Sequence, residues 1–369
     1  MLLTNFARAS IASAATAAAV SSSGISISRT DAASATDHLS AGRAHLLRGS
    51  GHQLISQEQD CHCPACANTD PATAAAADGP AVRSSVESSP SVPAIPRQVF
   101  MTTRDKQNMA RWEQRNFEKC TRMNPGWRFV VYDDIDMEEY VRATFPGILD
   151  TWRFLKNTVE KKDVWSYLII YDKGGLFLDT DIDCRVPIDR WDQPYGHSSR
   201  GLIGVEINKP QEDYLQFTNW CFAFAPRHPI LYATIALVLQ KIAQLRVTPT
   251  NVDSVFLTGP TVFSRAVMDY MAMYGLDRTA VREGGDFQTG DVRLLGVNRF
   301  APLQSHSHAT MDCHSPEIFV IHQFSGRWRQ EYKWYTADGS RPKGAWVPPA
   351  KPAHWRPPCW EDLRETSTL

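Results

Sequence analysis

The sequence predicts an α/β fold whose sheet contains parallel strand pairs. Three observations carry that expectation. Beyond residue 94, short apolar runs rich in β-branched and aromatic residues alternate with longer helical patterns. Turn signals separate them, among them Asn124-Pro125-Gly126 and Gly174-Gly175. The chain is 43% hydrophobic and 10% aromatic, enough to bury both faces of such a sheet.

The elements follow in order. IPRQVFMT (95–102) reads as a first strand, with Ile95, Val99 and Phe100 as its apolar positions. ARWEQRNFEKC (110–120) reads as a helix and WRFVVYD (127–133) as a second strand ending in acid. Helical patterns cover 136–145 and about 148–172, interrupted near Asn157. Gly174-Gly175 then breaks the helix, and LFL leads into an acidic run. Further strands are predicted at GLIGVEI (201–207), CFAFAP (221–226), VRLLGV (292–297) and EIFVIHQF (317–324). Helices are predicted over 228–245, starting at His228-Pro229, and over 260–275.

Residues 1–93 are of another kind. They are rich in Ala, Ser and Thr, poor in aromatics, and cannot bury enough apolar area to offset the entropy of ordering. The apolar window IASAATAAAV (11–20) is too short to span a bilayer. Signal sequence, weak membrane anchor and transit peptide remain open for it, so 1–93 reads as a disordered targeting and stem region. No other stretch approaches 18 uninterrupted apolar residues, and the remainder reads as soluble. The globular domain spans 94–335, and 336–369 is a Pro-rich tail.

Net charge is −1, which gives no electrostatic case for nucleic acid. Eight cysteines include CHCPAC at 61–66, half of a zinc site by spacing. The other five are scattered, and the sequence leaves buried thiols and disulfides equally open.

GGLFLDTDID (174–183) places Asp179, Asp181 and Asp183 two apart at the end of an apolar strand. An acidic turn after a strand is ordinarily solvated. A calcium loop starting at Asp179 requires Gly and Glu where Cys184 and Arg190 stand, so it is excluded. An aspartyl phosphohydrolase with Asp179 as nucleophile fits poorly, because Asp183 fills a slot meant for a small residue. The fourth reading is a clamp for a divalent cation on a nucleotide-sugar diphosphate, where hard oxygen ligands suit Mn²⁺ or Mg²⁺.

The flanks favour the clamp. VEKKDVWSYLIIYDKGGLFLDTDIDC resembles the DXD segment of the initiation-specific α-1,6-mannosyltransferase-like glycosyltransferases. NWCFAFAPRHPIL (219–231), LTGPTVFSRAV (257–267) and IHQFSGRWR (321–329) resemble three further motifs of that family, in the same order. The resemblance covers about 95–330. It implies a GT-A fold, a single mixed sheet flanked by helices, and metal-dependent retaining transfer of a hexose. The donor it favours is GDP-mannose and the acceptor a glycan or glycolipid, in the Golgi lumen.

The same resemblance assigns roles. Asp181 and Asp183 are catalytic candidates, and Asp179, Asp181 and Gln323 would hold the metal. Asp163, Gly174, Gly175, Asp179, His322, Gly326 and Trp328 would bind the donor, the two glycines through close backbone approach to the sugar. There are two departures. Ser166 stands where relatives often carry an Arg, with Lys161, Lys162 or Arg185 as substitute cations. His322-Gln323 replaces a pair of histidines, making Gln323 the ligand and His322 an outer contact. Those departures keep a non-catalytic sugar- or partner-binding protein as the alternative.

Overall fold

The computed structural model describes residues 94–193, 198–248, 252–281 and 285–326, together with 328, 329, 332–336, 339 and 340. The expected stem, the CHCPAC cluster, Arg327 and nearly all of the Pro-rich tail lie outside them.

The chain opens with β1 (Gln98–Thr102), α1 (Arg111–Met123), β2 (Arg128–Tyr132) and α2 (Asp134–Thr144). Short α3 (Leu149–Phe154) leads to α4 (Thr158–Lys173) and β3 (Gly175–Leu178). After the acidic turn come β4 (Ile182–Cys184), β5 (Gly201–Lys209), β6 (Tyr214–Phe224) and α5 (Pro229–Val247). The remainder is α6 (Ser254–Leu257), α7 (Pro260–Met273), β7 (Phe287–Thr289), β8 (Val292–Leu295), α8 (Val297–Phe300) and β9 (Val320–His322).

Seven strands form one sheet in the order β2-β1-β3-β6-β5-β8-β7, and β4 pairs with β9 in a second. β1 runs parallel to β2 and β3, and β5 parallel to β8, while β6 is antiparallel to both β3 and β5. The sheet is therefore mixed and flanked by helices, as expected. Its parallel half directs the carboxyl ends of β1, β2 and β3 to one edge, where ligands collect in such folds.

Local chemistry explains the main boundaries. Asp133 caps α2 by accepting from the N–H groups of Ile135 and Asp136, and the Asp136 carboxylate returns to the Asp133 N–H. Asn157 stops α3 from running into α4, and Glu160 accepts the Asn157 N–H. Gly174 ends α4 at a φ of 66°, a left-handed value that a side chain resists.

The core sits where α4 crosses the sheet. Trp165 is fully buried and meets Tyr132 at 4.7 Å and Phe177 at 6.5 Å between ring centroids. α5 is long and apolar enough by mean composition to cross a membrane, although Gln240 and Lys241 interrupt its apolar run. Its stripe of Ile230, Thr234, Val238 and Ile242 is instead buried, with α4 and α7 packed alongside.

Two strands differ from expectation. β6 begins at Tyr214 rather than at Cys221, because Thr218 and Asn219 find buried hydrogen-bond partners that permit polar residues in a central strand. The run 317–324 yields only Val320–His322, which pairs with β4 outside the main sheet. β4 and β7 were not foreseen, being three residues each.

Cys120 of α1 and Cys184 of β4 form a disulfide across 64 residues of sequence. Cys221 is a buried free thiol. Reducing the Cys120–Cys184 bond should destabilise the fold by about 4 kcal/mol on the loop-entropy argument. Differential scanning calorimetry of Cys120→Ser/Cys184→Ser against the parent checks this, and an unchanged Tm refutes it.

A second prediction concerns His228, the N-cap of α5. Its ring accepts from the Ile230 N–H, meets Asp291, and is fully buried. Burial lowers its pKa to about 4, although Asp291 pulls the other way. Between pH 6.5 and about 4 the unfolded chain takes a proton that the folded chain refuses, so stability falls as pH drops through that window. The full loss is about 3 kcal/mol. His228→Asn keeps a capping oxygen but does not titrate, so its urea-unfolding free energy should show a flatter pH dependence there.

Candidate active site

The acidic turn joins the end of β3 to β4 and is fixed from both sides. The Asp179 N–H donates to the Trp220 carbonyl at 2.9 Å, tying the turn to β6. Thr180 points toward α1, where Asn116 donates to its carbonyl at 3.0 Å and Glu113 accepts from its hydroxyl at 3.3 Å. The Gln323 N–H donates to the Asp181 carbonyl at 2.9 Å, tying the turn to the end of β9. Asp179 and Asp181 thus face away from Thr180, toward the carboxyl edge of the parallel strands.

Asp179, Asp181 and His322 meet there, with one potential ligand atom from each lying within 4.8 Å of the others. His322 Nε2 stands 3.0 Å from Asp181 Oδ1, and the Ser325 N–H donates to Asp181 Oδ2 at 2.9 Å. Burial would raise the Asp181 pKa, but His322 and Ser325 outweigh it and hold the carboxyl well below the usual range. Asp181 is therefore ionised at neutral pH. The His322 ring is stacked on Trp220 at 4.4 Å and flanked by Phe324 at 3.9 Å, so its orientation is set by packing. Its Nδ1 is buried and finds no hydrogen-bond partner among the described residues.

Lys162 is the cation of the site. Its Nζ lies 3.1 Å and 3.2 Å from the two Asp179 oxygens and 3.3 Å from Asp163 Oδ1. Burial works against its charge, yet Asp179 and Asp163 outweigh that and raise its pKa. Burial pushes the Asp179 and Asp163 carboxyls up, against the pull of the same ammonium. Asp163 Oδ1 also accepts from the Asn219 amide at 3.1 Å, and Oδ2 from the Thr258 hydroxyl at 3.0 Å. Three of the sequence motifs, around Asp163, Asn219 and Thr258, therefore converge on one buried carboxylate.

The sequence-derived candidates divide clearly. Asp179, Asp181 and His322 come together, and Asp163 joins them through Lys162. Gln323 does not. Its side chain turns to Asn116, its Nε2 donating to Oδ1 at 3.3 Å, because alternation beyond β9 sends it away from His322. The imidazole, not the amide, faces the aspartates, which corrects the expected ligand set. Asp183 is also corrected. It is 1% exposed and paired with Lys119 and Arg185, so the chain buries it as a neutralised structural acid.

Gly174 and Gly175 are corrected as well. They lie at the start of β3, about 13 Å from its acidic end by strand rise. A Cβ at Gly174 would stand 2.7 Å from Pro96 and Pro226, and one at Gly175 2.6 Å from the Gln98 carbonyl oxygen. Close approach is their role, but to the protein's own backbone. Gly326 follows Ser325 directly, and Trp328 stands three residues beyond Ser325. Trp328 packs on Tyr332, with 6.0 Å between ring centroids.

Of the cations named as substitutes at the Ser166 departure, Lys162 is the one that pairs with Asp163 and Asp179. It stands one helical turn before Ser166 on the same face, and Ser166 instead bonds the Asp163 carbonyl at 2.7 Å. Of the other candidate cations, Lys161 lies over the Trp152 ring and Arg185 pairs with Asp183. Glu206 of β5 was missed altogether. It is buried, accepts from Gln216 at 2.9 Å, and is close enough for the His322 and Asp179 charges to act on its pKa, which burial raises. Nothing in GLIGVEI marks it, since that run reads as an apolar strand.

The chain is similar to the initiation-specific alpha-1,6-mannosyltransferase of Schizosaccharomyces pombe, 26% identical over 262 residues that cover 64% of each protein. It is also similar to inositol phosphoceramide mannosyltransferase 1 of that yeast, 26% identical over 144 residues, 38% of this chain and 42% of the other. The chain thus spans less than two thirds of either relative. Among solved structures the PaToxG glycosyltransferase aligns with a TM-score of 0.36 at 16% identity, over 52% of this chain and 75% of that one. Residues 110–196 match the model of the glycosyltransferase sugar-binding region containing DXD motif. That segment holds α4 with Lys162 and Asp163 and the turn with Asp179 and Asp181, and its match agrees with the DXD motif read in the sequence.

Proposed function

We propose that the chain is a metal-dependent retaining glycosyltransferase of GT-A type. It moves a hexose, mannose from GDP-mannose being favoured, to a glycan or glycolipid acceptor in the Golgi lumen. One observation carries the reading: two carboxylates, inside a segment that matches a DXD glycosyltransferase region, converge with the His322 imidazole at the carboxyl edge of the parallel strands. The relatives support mannose, since their names state that transfer. The Cys120–Cys184 disulfide supports an oxidising compartment.

The donor set suits a borderline-hard divalent ion such as Mn²⁺, with two carboxylates and one imidazole nitrogen. A cation bound there supplies neutralisation of the negative charge that builds on the departing nucleoside diphosphate. The protein's own groups do the rest. Ser325 and His322 keep Asp181 ionised, Trp220 and Phe324 hold the imidazole in place, and Lys162 keeps Asp179 and Asp163 side by side without repulsion.

Transfer from GDP-mannose should vanish with a chelator and return with Mn²⁺, and Mn²⁺ should raise the Tm of the parent. Asp181→Asn retains an oxygen for the Ser325 N–H and should fold normally. It should lower kcat by at least about 100-fold and lose the Mn²⁺-dependent Tm shift. Full activity in the chelated enzyme, or an unimpaired Asp181→Asn variant, sinks the reading.

Lys162→Met removes the charge that separates two buried carboxylates. Stability should fall by about 3–5 kcal/mol, the usual consequence of stripping one partner from a buried pair. Lys162→Arg should restore part of it. Equilibrium denaturation of the three proteins measures this, and a neutral Lys162→Met would show that the contact carries no weight.

A further inference from the structure

The chain places one of its own cations on an acid that a metal would use. Lys162 Nζ spans both oxygens of Asp179, at 3.1 Å and 3.2 Å, and Asp179 is one of the three residues whose ligand atoms converge. A cation that takes an Asp179 oxygen therefore competes with the ammonium. Lys162 also has a second seat. Asp163 Oδ1 stands 3.3 Å from Nζ, and Asn219 and Thr258 hold that carboxylate in place. Nζ lies over the Phe177 ring as well, 5.4 Å from its centroid. Asp181 takes other partners, His322 and the Ser325 N–H.

The local charge follows from these contacts. Asp163, Asp179 and Asp181 oppose a single ammonium, and an imidazole must be neutral to ligate a metal. With the three carboxylates ionised, two negative charges stay unmatched, the charge of one divalent cation. Two further buried acids have donors of their own. Glu160 accepts from Ser254 and Asn157, and Glu206 accepts from Gln216. Among the described residues, only Asp163 and Asp179 pair with Lys162. The Lys162 side chain is 15% exposed, so water screens its charge weakly and the ammonium acts on the cluster at short range.

We propose that Lys162 is the resident counter-ion of the metal site: it sets the carboxylate cluster to the charge of a divalent cation, and it yields Asp179 to that cation while keeping Asp163. The inference rests on the metal-dependent glycosyltransferase reading and deepens it by assigning what controls the strength and the charge preference of metal binding. Lys162 is thus a positioning residue and not a ligand. Its ammonium weakens metal binding while it stabilises the metal-free fold. Three carboxylates without it favour ions of higher charge.

Isothermal titration calorimetry of the full chain at pH 7, with Mn²⁺ and with Tb³⁺, tests this. Tb³⁺ also takes hard oxygen ligands but carries one more charge. Lys162→Met should bind Mn²⁺ about 10- to 100-fold more tightly than the parent, because the competing ammonium is gone. Its preference for Tb³⁺ over Mn²⁺ should rise by about 3- to 10-fold, since losing a positive charge helps the trivalent ion more. The rise in Tm with Mn²⁺ should also be larger in Lys162→Met, because the ion replaces the missing charge. Lys162→Arg keeps the charge and should keep the parent's preference. Asp163→Asn acts in the opposite sense. It leaves the ammonium to Asp179 alone, so Mn²⁺ affinity should fall by about 10-fold and the preference for Tb³⁺ by about 3- to 10-fold.

Tighter binding by a variant that has lost a stabilising contact cannot arise from general damage. Should Lys162→Met fail to fold, the ratio of the two ions in Asp163→Asn decides instead, a fall supporting the assignment and an unchanged ratio overturning it. Equal or weaker Mn²⁺ binding by folded Lys162→Met, or an unchanged ratio in it, overturns this assignment and leaves the glycosyltransferase reading standing. Absence of Mn²⁺ binding by the parent overturns both.

Discussion

The site depends on a buried chain of charge, Asp163–Lys162–Asp179. Two carboxylates sit on either side of one ammonium, each within 3.3 Å of it. In a low-dielectric interior neither acid would stay ionised beside the other without that cation. Lys162 is itself retained in charged form only because both acids face it. The arrangement is mutually conditional, which is why α4, β3, β6 and α6–α7 must all be in place before any part of it is stable. Asn219 and Thr258 supply the remaining hydrogen bonds that a buried Asp163 requires.

The second constraint is the return of the chain. His322 is more than 140 residues from Asp181 in sequence, yet the β4–β9 pair brings Ile182 opposite His322. Two three-residue strands would be weak alone. They hold because the Ser325 and Gln323 N–H groups both bond Asp181 and because Trp220 offers a flat face to the imidazole. Farther on, Tyr335 and Lys333 bind Glu160 and Asn157 at the start of α4. The same segment thus contacts both ends of the region that carries Lys162.

Much of this was legible in the sequence, for identifiable reasons. The order of strands and helices followed from periodicity and from Gly, Pro and Asn punctuation, and the Asp179–Asp181 pair from its position after an apolar strand. What failed needed three dimensions. The even spacing grouped Asp183 with Asp179 and Asp181, but the chain turns at Thr180 and Asp181, so the extended run ends before Asp183. The choice between His322 and Gln323 turns on which side of β9 faces the turn, and a slip of one residue inverts the answer. Gly174 and Gly175 were rightly seen as sites of close approach, but sequence cannot say what approaches. Glu206 gave no pattern, because the residues around it lie far apart in the chain.

The disulfide belongs to this same logic rather than to stability alone. α1 contributes Asn116, which bonds the Thr180 carbonyl, and Lys119, which neutralises Asp183. Cys120 is the next residue of that helix, and Cys184 is the residue after Asp183 in β4. The covalent link therefore joins the two elements that brace the acidic turn from outside, beside the ion pair that buries Asp183. Lys119–Asp183 is a buried charge pair and would cost free energy if its partners drifted apart. Cross-linking adjacent residues holds them at pairing distance. The geometry of the turn is thus best maintained where the bond stays oxidised, so that the same compartment that preserves the disulfide also preserves the placement of Asp179 and Asp181.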